Sequence, residues 1–183
     1  VKIIIEEIDR LENTLSGILS FTKPAAPQCV PADLNALIKT ILEMMGIEIE
    51  RGNIRVEELC DVNLPLVWAD ENQLRQVIIN LIRNAIQAMH EGGILTVSTV
   101  KEDSWVKIEI SDTGVGISDE DIDKLFDAFF TSKSTGSGLG LTVSAQIISN
   151  HGGTIEVKQR SPQGATFIVK LPVNTPINNK LSA

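Results

Sequence analysis

Leu74, Val77, Ile78, Leu81, Ile82, Ala85 and Met89 recur at three- and four-residue steps, the spacing of one buried helix face. Asp70 precedes the run as a ready N-cap, so the pattern predicts a long helix beginning just after it. Asp33 in the same way predicts a helix over about residues 34–45, ended near Gly46. A further helix is expected over 139–150, carrying Leu141, Val143, Ala145, Ile147 and Ile148. Between the helices the period falls to two. Ile54-Arg-Val-Glu and Leu66-Val-Trp68 read as short strands, and 94–100, 105–111, 154–159 and 166–171 as longer ones. Gly92-Gly93, Glu102-Asp-Ser104 and Ser161-Pro-Gln-Gly164 supply the turns. Helices interleaved with antiparallel hairpins predict an α/β fold, a two-layer sandwich with one mixed sheet and helices on one face.

The first residues follow a different rule. Ile4, Ile8, Leu11, Leu15, Ile18 and Thr22 form a heptad-like seam, widened by Ile5 and Leu19, on one long helix. Such a stripe needs a second helix to cover it, which predicts bundle or dimer packing. Pro24, Pro27 and Pro31 end the helix and mark residues 23–32 as a linker. The expected organisation is a partial helical unit at 1–22, the linker, a domain over 33–172 and a flexible polar tail over 173–183.

Composition narrows the function classes. A net charge of -8, no Tyr, and Trp68 and Trp105 as the only Trp residues argue against a nucleic-acid platform. Cys29 and Cys60 stand outside any metal-ligand spacing and read as unpaired thiols of a reducing compartment. No stretch approaches the roughly 20 apolar residues that span a bilayer, so no membrane contact is expected and the location reads as cytoplasmic. Val1 opens directly into helical sequence, which reads as a fragment of a longer parent whose membrane attachment, if any, lies outside these residues.

Three polar islands interrupt the hydrophobic runs. Asn80 and Asn84 lie one turn apart on the same face of the long helix, with Gln87 extending the strip. An amide oxygen suits Mg2+ already held by phosphates. Asp112 ends a strand and is followed by Gly114 and Gly116, which leave room for a flat ring to approach the backbone. Its carboxylate matches the amino group of adenine, which guanine lacks at that position. Gly136, Gly138 and Gly140 lead into a helix whose free amides favour phosphate oxygens. The Gly-Lys-Ser/Thr ending of a P-loop is missing, and no βαβ unit follows. Residues 112–137, with eight Asp, Glu or Lys residues and Phe126, Phe129 and Phe130 among them, read as a lid over the site.

With these residues in order, the chain resembles the catalytic ATP-binding domain of bacterial two-component sensor histidine kinases, within the group that includes DNA gyrase B, Hsp90 and MutL. Asn80-Leu-Ile-Arg-Asn84-Ala is similar to the family's asparagine box and Asp112-Thr-Gly-Val-Gly116-Ile to its first glycine box. Phe126-Asp-Ala-Phe129-Phe-Thr-Ser-Lys133 is similar to the phenylalanine box and Gly136-Ser-Gly-Leu-Gly140-Leu to the second glycine box. His151-Gly-Gly and Gly164-Ala-Thr166-Phe resemble the closing strands.

The resemblance implies a Bergerat-type ATP-binding fold preceded by one long helix, with ATP and Mg2+ as the bound pair. It implies Asn84 as the metal ligand, Asp112 as the adenine reader with Gly114 and Gly116 beside the base, and Thr166 as its support. Lys133 and the backbone of Gly136, Gly138, Leu139, Gly140 and Leu141 would hold phosphates, Asn80 would help order them, and Phe126 and Phe129 would anchor the lid. Asn84 and Lys133 are thus the residues expected to act in catalysis.

ATP-hydrolysing relatives carry a water-activating Glu where this chain has Asn80. An amide is no general base, which favours transfer to a protein over hydrolysis. The implied activity is that of a protein-histidine kinase, passing the γ-phosphoryl group to a histidine on an upstream helix of a homodimer and thence to a response regulator. His90 and His151 do not fit the acceptor's place. A serine kinase of the anti-sigma type, or a noncatalytic nucleotide-sensing dimerisation module, are the alternatives.

Overall fold

The computed structural model of the protein describes residues 26–131, 137–160 and 163–173. The helix expected over 1–22, Lys133, Gly136, the Ser161-Pro162 half of the last turn and the tail beyond Val173 lie outside the described residues.

The first described element is a surprise of the linker. Val30–Ala32 (β1) pairs antiparallel with Val67–Ala69 (β3), with Pro31 opposite Trp68. Proline is tolerated there because a two-stranded sheet consists of edges, where a missing amide need not break a ladder. Asp33 then caps Leu34–Met44 (α1), its carboxylate accepting the Ala36 amide at 3.0 Å. Leu34, Leu37, Ile38, Ile41 and Leu42 form the buried stripe of α1. The chain does not stop at Gly46 as expected. It resumes as Gly46–Arg51 (α2), because the Met45 amide donates one more turn's hydrogen bond to Ile41 O and buried Ile49 supplies the next anchor.

Asp70 caps Glu71–Ala88 (α3) through the amides of Asn72 and Gln73. Its stripe, Leu74, Val77, Ile78, Leu81, Ile82 and Ala85, is fully inside. Each of these larger aliphatic side chains contributes about 2 kcal/mol by leaving water. The stripe rests on a five-stranded sheet built from Ile54–Cys60 (β2), Gly93–Glu102 (β4), Trp105–Ser111 (β5), Thr154–Gln159 (β6) and Ala165–Pro172 (β7). The order is β2-β4-β5-β7-β6, with β2 parallel to β4 and every other pair antiparallel. A parallel pair demands a long crossover, and β3 with α3 provides it. Asp119–Ile122 (α4) is a single short turn, and Gly140–Asn150 (α5) is the last helix, packed beside α3.

Alternation decides the two faces of the sheet. Val97 and Leu95, Val106, Ile108 and Ile110, and Phe167, Val169 and Leu171 point into the helices. The other face carries Lys107 between Glu102 and Glu109, and Lys170 near Glu102. The layout is therefore the expected mixed sheet with helices on one side. Among the described residues no helix is long and apolar enough to cross a membrane. Both cysteines are unpaired, and burial pushes their thiols up from the ordinary value.

Candidate functional site

Helix α3 is the floor on which the polar islands meet. Asn80, Asn84 and Ala88 follow at four-residue steps, one row along the helix. At one end of the row, Asn80 lies against the start of α5. Its Nδ2 donates to Ser144 Oγ at 3.0 Å, and a Cβ added to Gly140 would stand 2.5 Å from its Oδ1. At the other end, Ala88 receives the loop that follows β5. The amide of Val115 donates to Ala88 O at 3.1 Å, and a Cβ on Gly114 would fall 2.5 Å from that same oxygen. Half-buried Asn84 therefore lies between the two glycine-rich islands, about 6 Å along the helix from each neighbour in the row at roughly 1.5 Å rise per residue.

Asp112 is almost fully buried, at 2% exposure. Its Oδ1 accepts the Gly114 amide at 2.8 Å and the Ala165 amide at 3.4 Å, while its own amide donates to Ala165 O at 2.9 Å. A carboxylate this deep is tolerated because backbone donors converge on it. The room left by Gly114 is taken up by α3, so its small size is demanded by packing first. Gly116 turns the loop at φ +75° and sits over Gly164.

Thr166 pairs with Ser111 across β5 and β7, with the two hydroxyl oxygens 2.7 Å apart. Successive strand residues point to opposite faces, so Ser111 and Thr166 share one face while Asp112 and Ala165 meet on the other. The β7 residue that touches the Asp112 carboxylate is Ala165, through its amide. Arg160 adds a contact from the adjoining hairpin, its Nη1 donating to Asp112 O at 3.3 Å.

The segment after Asp112 divides the phenylalanines. Phe126 packs against the core, as expected of an anchor, whereas Phe129 is 64% exposed. Phe129 holds by its backbone instead. It takes φ 68°, and its amide donates to Gly138 O at 3.0 Å. Gly138 itself has φ 68°, and a Cβ there would overlap the Phe129 carbonyl carbon, so only glycine lets the two backbones cross. Leu139, 1% exposed, then enters α5, whose first turn has no side-chain cap. Its leading amides, at Gly140 and Leu141, are the helix end that suits an anion.

Sequence reasoning missed Ser144, Ala165 and Arg160. Ser144 had a signal: a small hydroxyl inside an otherwise apolar helical stripe. His151 ends α5 and is buried, with Nδ1 donating to Ile147 O at 2.8 Å and Nε2 accepting the Asp70 amide at 3.0 Å. It joins the end of α5 to the start of α3, a purely architectural place. His90 is exposed beside Gly92.

Residues 69–175 match the family described as histidine kinase-, DNA gyrase B-, and HSP90-like ATPase. The sensor histidine kinase ZraS of Escherichia coli (strain K12) is 36% identical over 173 residues, covering 94% of this chain and 37% of ZraS. The crystal structure of the histidine kinase ThkA in complex with the response regulator protein TrrA aligns with a TM-score of 0.82 and 31% identity, over 95% of this chain and 50% of that one. Full-length ShkA in complex with AMPPNP aligns at 0.81 and 27% identity, over 91% of this chain and 36% of that one. The chain thus spans well under half the length of the curated relatives that it matches. It belongs to the histidine kinase-, DNA gyrase B- and HSP90-like ATPase family, as the catalytic ATP-binding domain of a sensor histidine kinase.

Proposed function

We propose that this domain holds Mg-ATP across the α3 row and that its parent protein transfers the γ-phosphoryl group to a histidine on an upstream helix. The observation that carries this reading is the row itself: Ala88 bears the Asp112 loop, Asn80 bears the start of α5, and Asn84 lies between them. Asp112 is the acceptor for the adenine amino group, held rigid by the Gly114 and Ala165 amides. The uncapped first turn of α5 receives phosphate oxygens, with Lys133 and Gly136 as further contacts from the sequence. The donor set fits Mg2+ rather than a metal held by protein alone. Among the described residues no group of three or more His, Cys, Asp or Glu side chains gathers to bind one, and a single amide oxygen at Asn84 suffices when phosphates supply the rest. Bound there, Mg2+ neutralises phosphate charge.

Asn80 favours transfer over hydrolysis. Its amide is not a base, and it is engaged with Ser144. The chain's residues therefore position and shield, while the nucleophile comes from another protein segment. In the transfer a histidine nitrogen bonds to the γ-phosphorus, the β–γ bridging bond breaks, and ADP leaves. A response regulator receiver domain is the proposed next acceptor, and a homodimer the proposed assembly.

Labelled ATP tests this. The 183-residue chain alone should acquire no label, whereas mixing it with the parent's upstream histidine-bearing region should give acid-labile phosphate on that region. Label on the chain itself contradicts the reading. Asn84→Ala should abolish the Mg2+ dependence of ATP-analogue binding in calorimetry; an unchanged dependence removes Asn84 from the site.

A further inference from the structure

Ser144 lies on the buried side of α5 at 2% exposure, one turn beyond Gly140. A serine hydroxyl has one proton to give and two lone pairs to receive. Here the proton goes to Gly140 O at 2.9 Å, and the Asn80 amide donates to Ser144 Oγ at 3.0 Å. The hydroxyl therefore joins two helices and fixes a third group, the carbonyl of the first α5 residue. Serine in a helix interior commonly bonds back to the carbonyl four residues earlier and bends the helix slightly. In this chain the back-bond falls on the very turn whose amides face the proposed phosphate position. Asn80 in turn is oriented: with Nδ2 committed to Ser144, its Oδ1 lies over Gly140, where a Cβ would meet it at 2.5 Å.

We propose that Ser144 is a positioning residue for nucleotide binding. It sets the orientation of the Asn80 amide and the seat of the first turn of α5 on α3, without touching the nucleotide. The inference rests on the Mg-ATP reading of the site, and it extends that reading to a residue outside the glycine-rich islands. Its physical basis is that residues 80 and 84 share one rigid helix. Whatever holds α5 to Asn80 also fixes the distance between the helix-end amides and Asn84.

The test uses the whole chain and an ATP analogue with Mg2+, in wild type, Ser144→Ala, Ser144→Thr, Asn80→Ala and the Asn80→Ala/Ser144→Ala double variant. Loss of one buried hydrogen bond corresponds to a weakening of about tenfold or less, so Ser144→Ala should bind several-fold more weakly and Ser144→Thr, which keeps the hydroxyl, should recover most of the loss. The double variant should bind no more weakly than Asn80→Ala, because one bond is lost either way. In ligand-free protein, amide hydrogen exchange at Val143 and Ala145, the first bonded amides of α5, should quicken in Ser144→Ala, while β4 and β5 exchange as in wild type. Wild-type affinity in Ser144→Ala, or additive losses in the double variant, overturns the proposal. If the wild type itself binds no nucleotide, the Mg-ATP reading fails first, and the exchange measurement still decides whether Ser144 seats the turn.

Discussion

Gly114 stands where a side chain would collide with Ala88 O, C and Cβ, all within 3 Å of an added Cβ. The obstacle is helix backbone, which cannot swing aside. Gly114→Ala should therefore lower stability by about 1–3 kcal/mol, the usual cost of overpacking, seen as a lower urea midpoint at unchanged slope. Because the same loop carries Asp112, nucleotide affinity should fall with it. Thr166 teaches the complementary lesson. A motif gives a residue's identity, but one step along a strand changes the face it occupies, and Thr166 bonds Ser111 away from Asp112. Exchanging Thr166 for Val is expected to leave the Asp112 side of the sheet untouched.

The element scale is governed by how the helices are tied at their ends. Asp70 caps α3, and its second oxygen accepts the Gln28 amide at 2.9 Å, fastening the incoming chain. Partial burial pushes its carboxyl pKa up, but the amides of Gln28, Gln73 and Asn72 outweigh this and hold it below the usual carboxylate value. A depressed folded pKa contributes stability above the unfolded value, near 3.9 for Asp, and that contribution fades as pH falls through the folded one. Asp70→Ala should thus cost about 1 kcal/mol at neutral pH. The gap from wild type should narrow in acid below the unfolded Asp value, as followed by urea titration at several pH values. His151 accepts the backbone amide of residue 70, which alanine keeps, so that latch persists in both proteins.

At the scale of the whole molecule, the small β1–β3 sheet is not a separate unit. Ala32, Val67 and Ala69 are buried in the same core as α3 and the five-stranded sheet. The two tryptophans report on these two places, Trp68 on β3 and Trp105 on β5. Trp68→Phe and Trp105→Phe, each leaving one reporter, should unfold with coincident fluorescence midpoints; two separated transitions would show the small sheet unfolding alone. The pairing also explains why part of this region read as a linker. Pro31 and its neighbours carry no periodic signal, and their partner, Trp68, lies far along the chain.

The sequence by itself determined the local order: helix stripes and their Asp caps, strand alternation and the spacing of the glycines. These follow from periods of two and 3.6 and from the chemistry of single side chains, both of which are local. The tertiary structure alone decided which distant groups meet. Asn80 finds Ser144, Ala88 meets Gly114, Asp112 takes the Ala165 amide, Thr166 meets Ser111, and β1 finds β3. Those pairings depend on how β5, β7 and α5 return across α3. Strand parity and helix docking fix that return, and no window of neighbouring residues contains it.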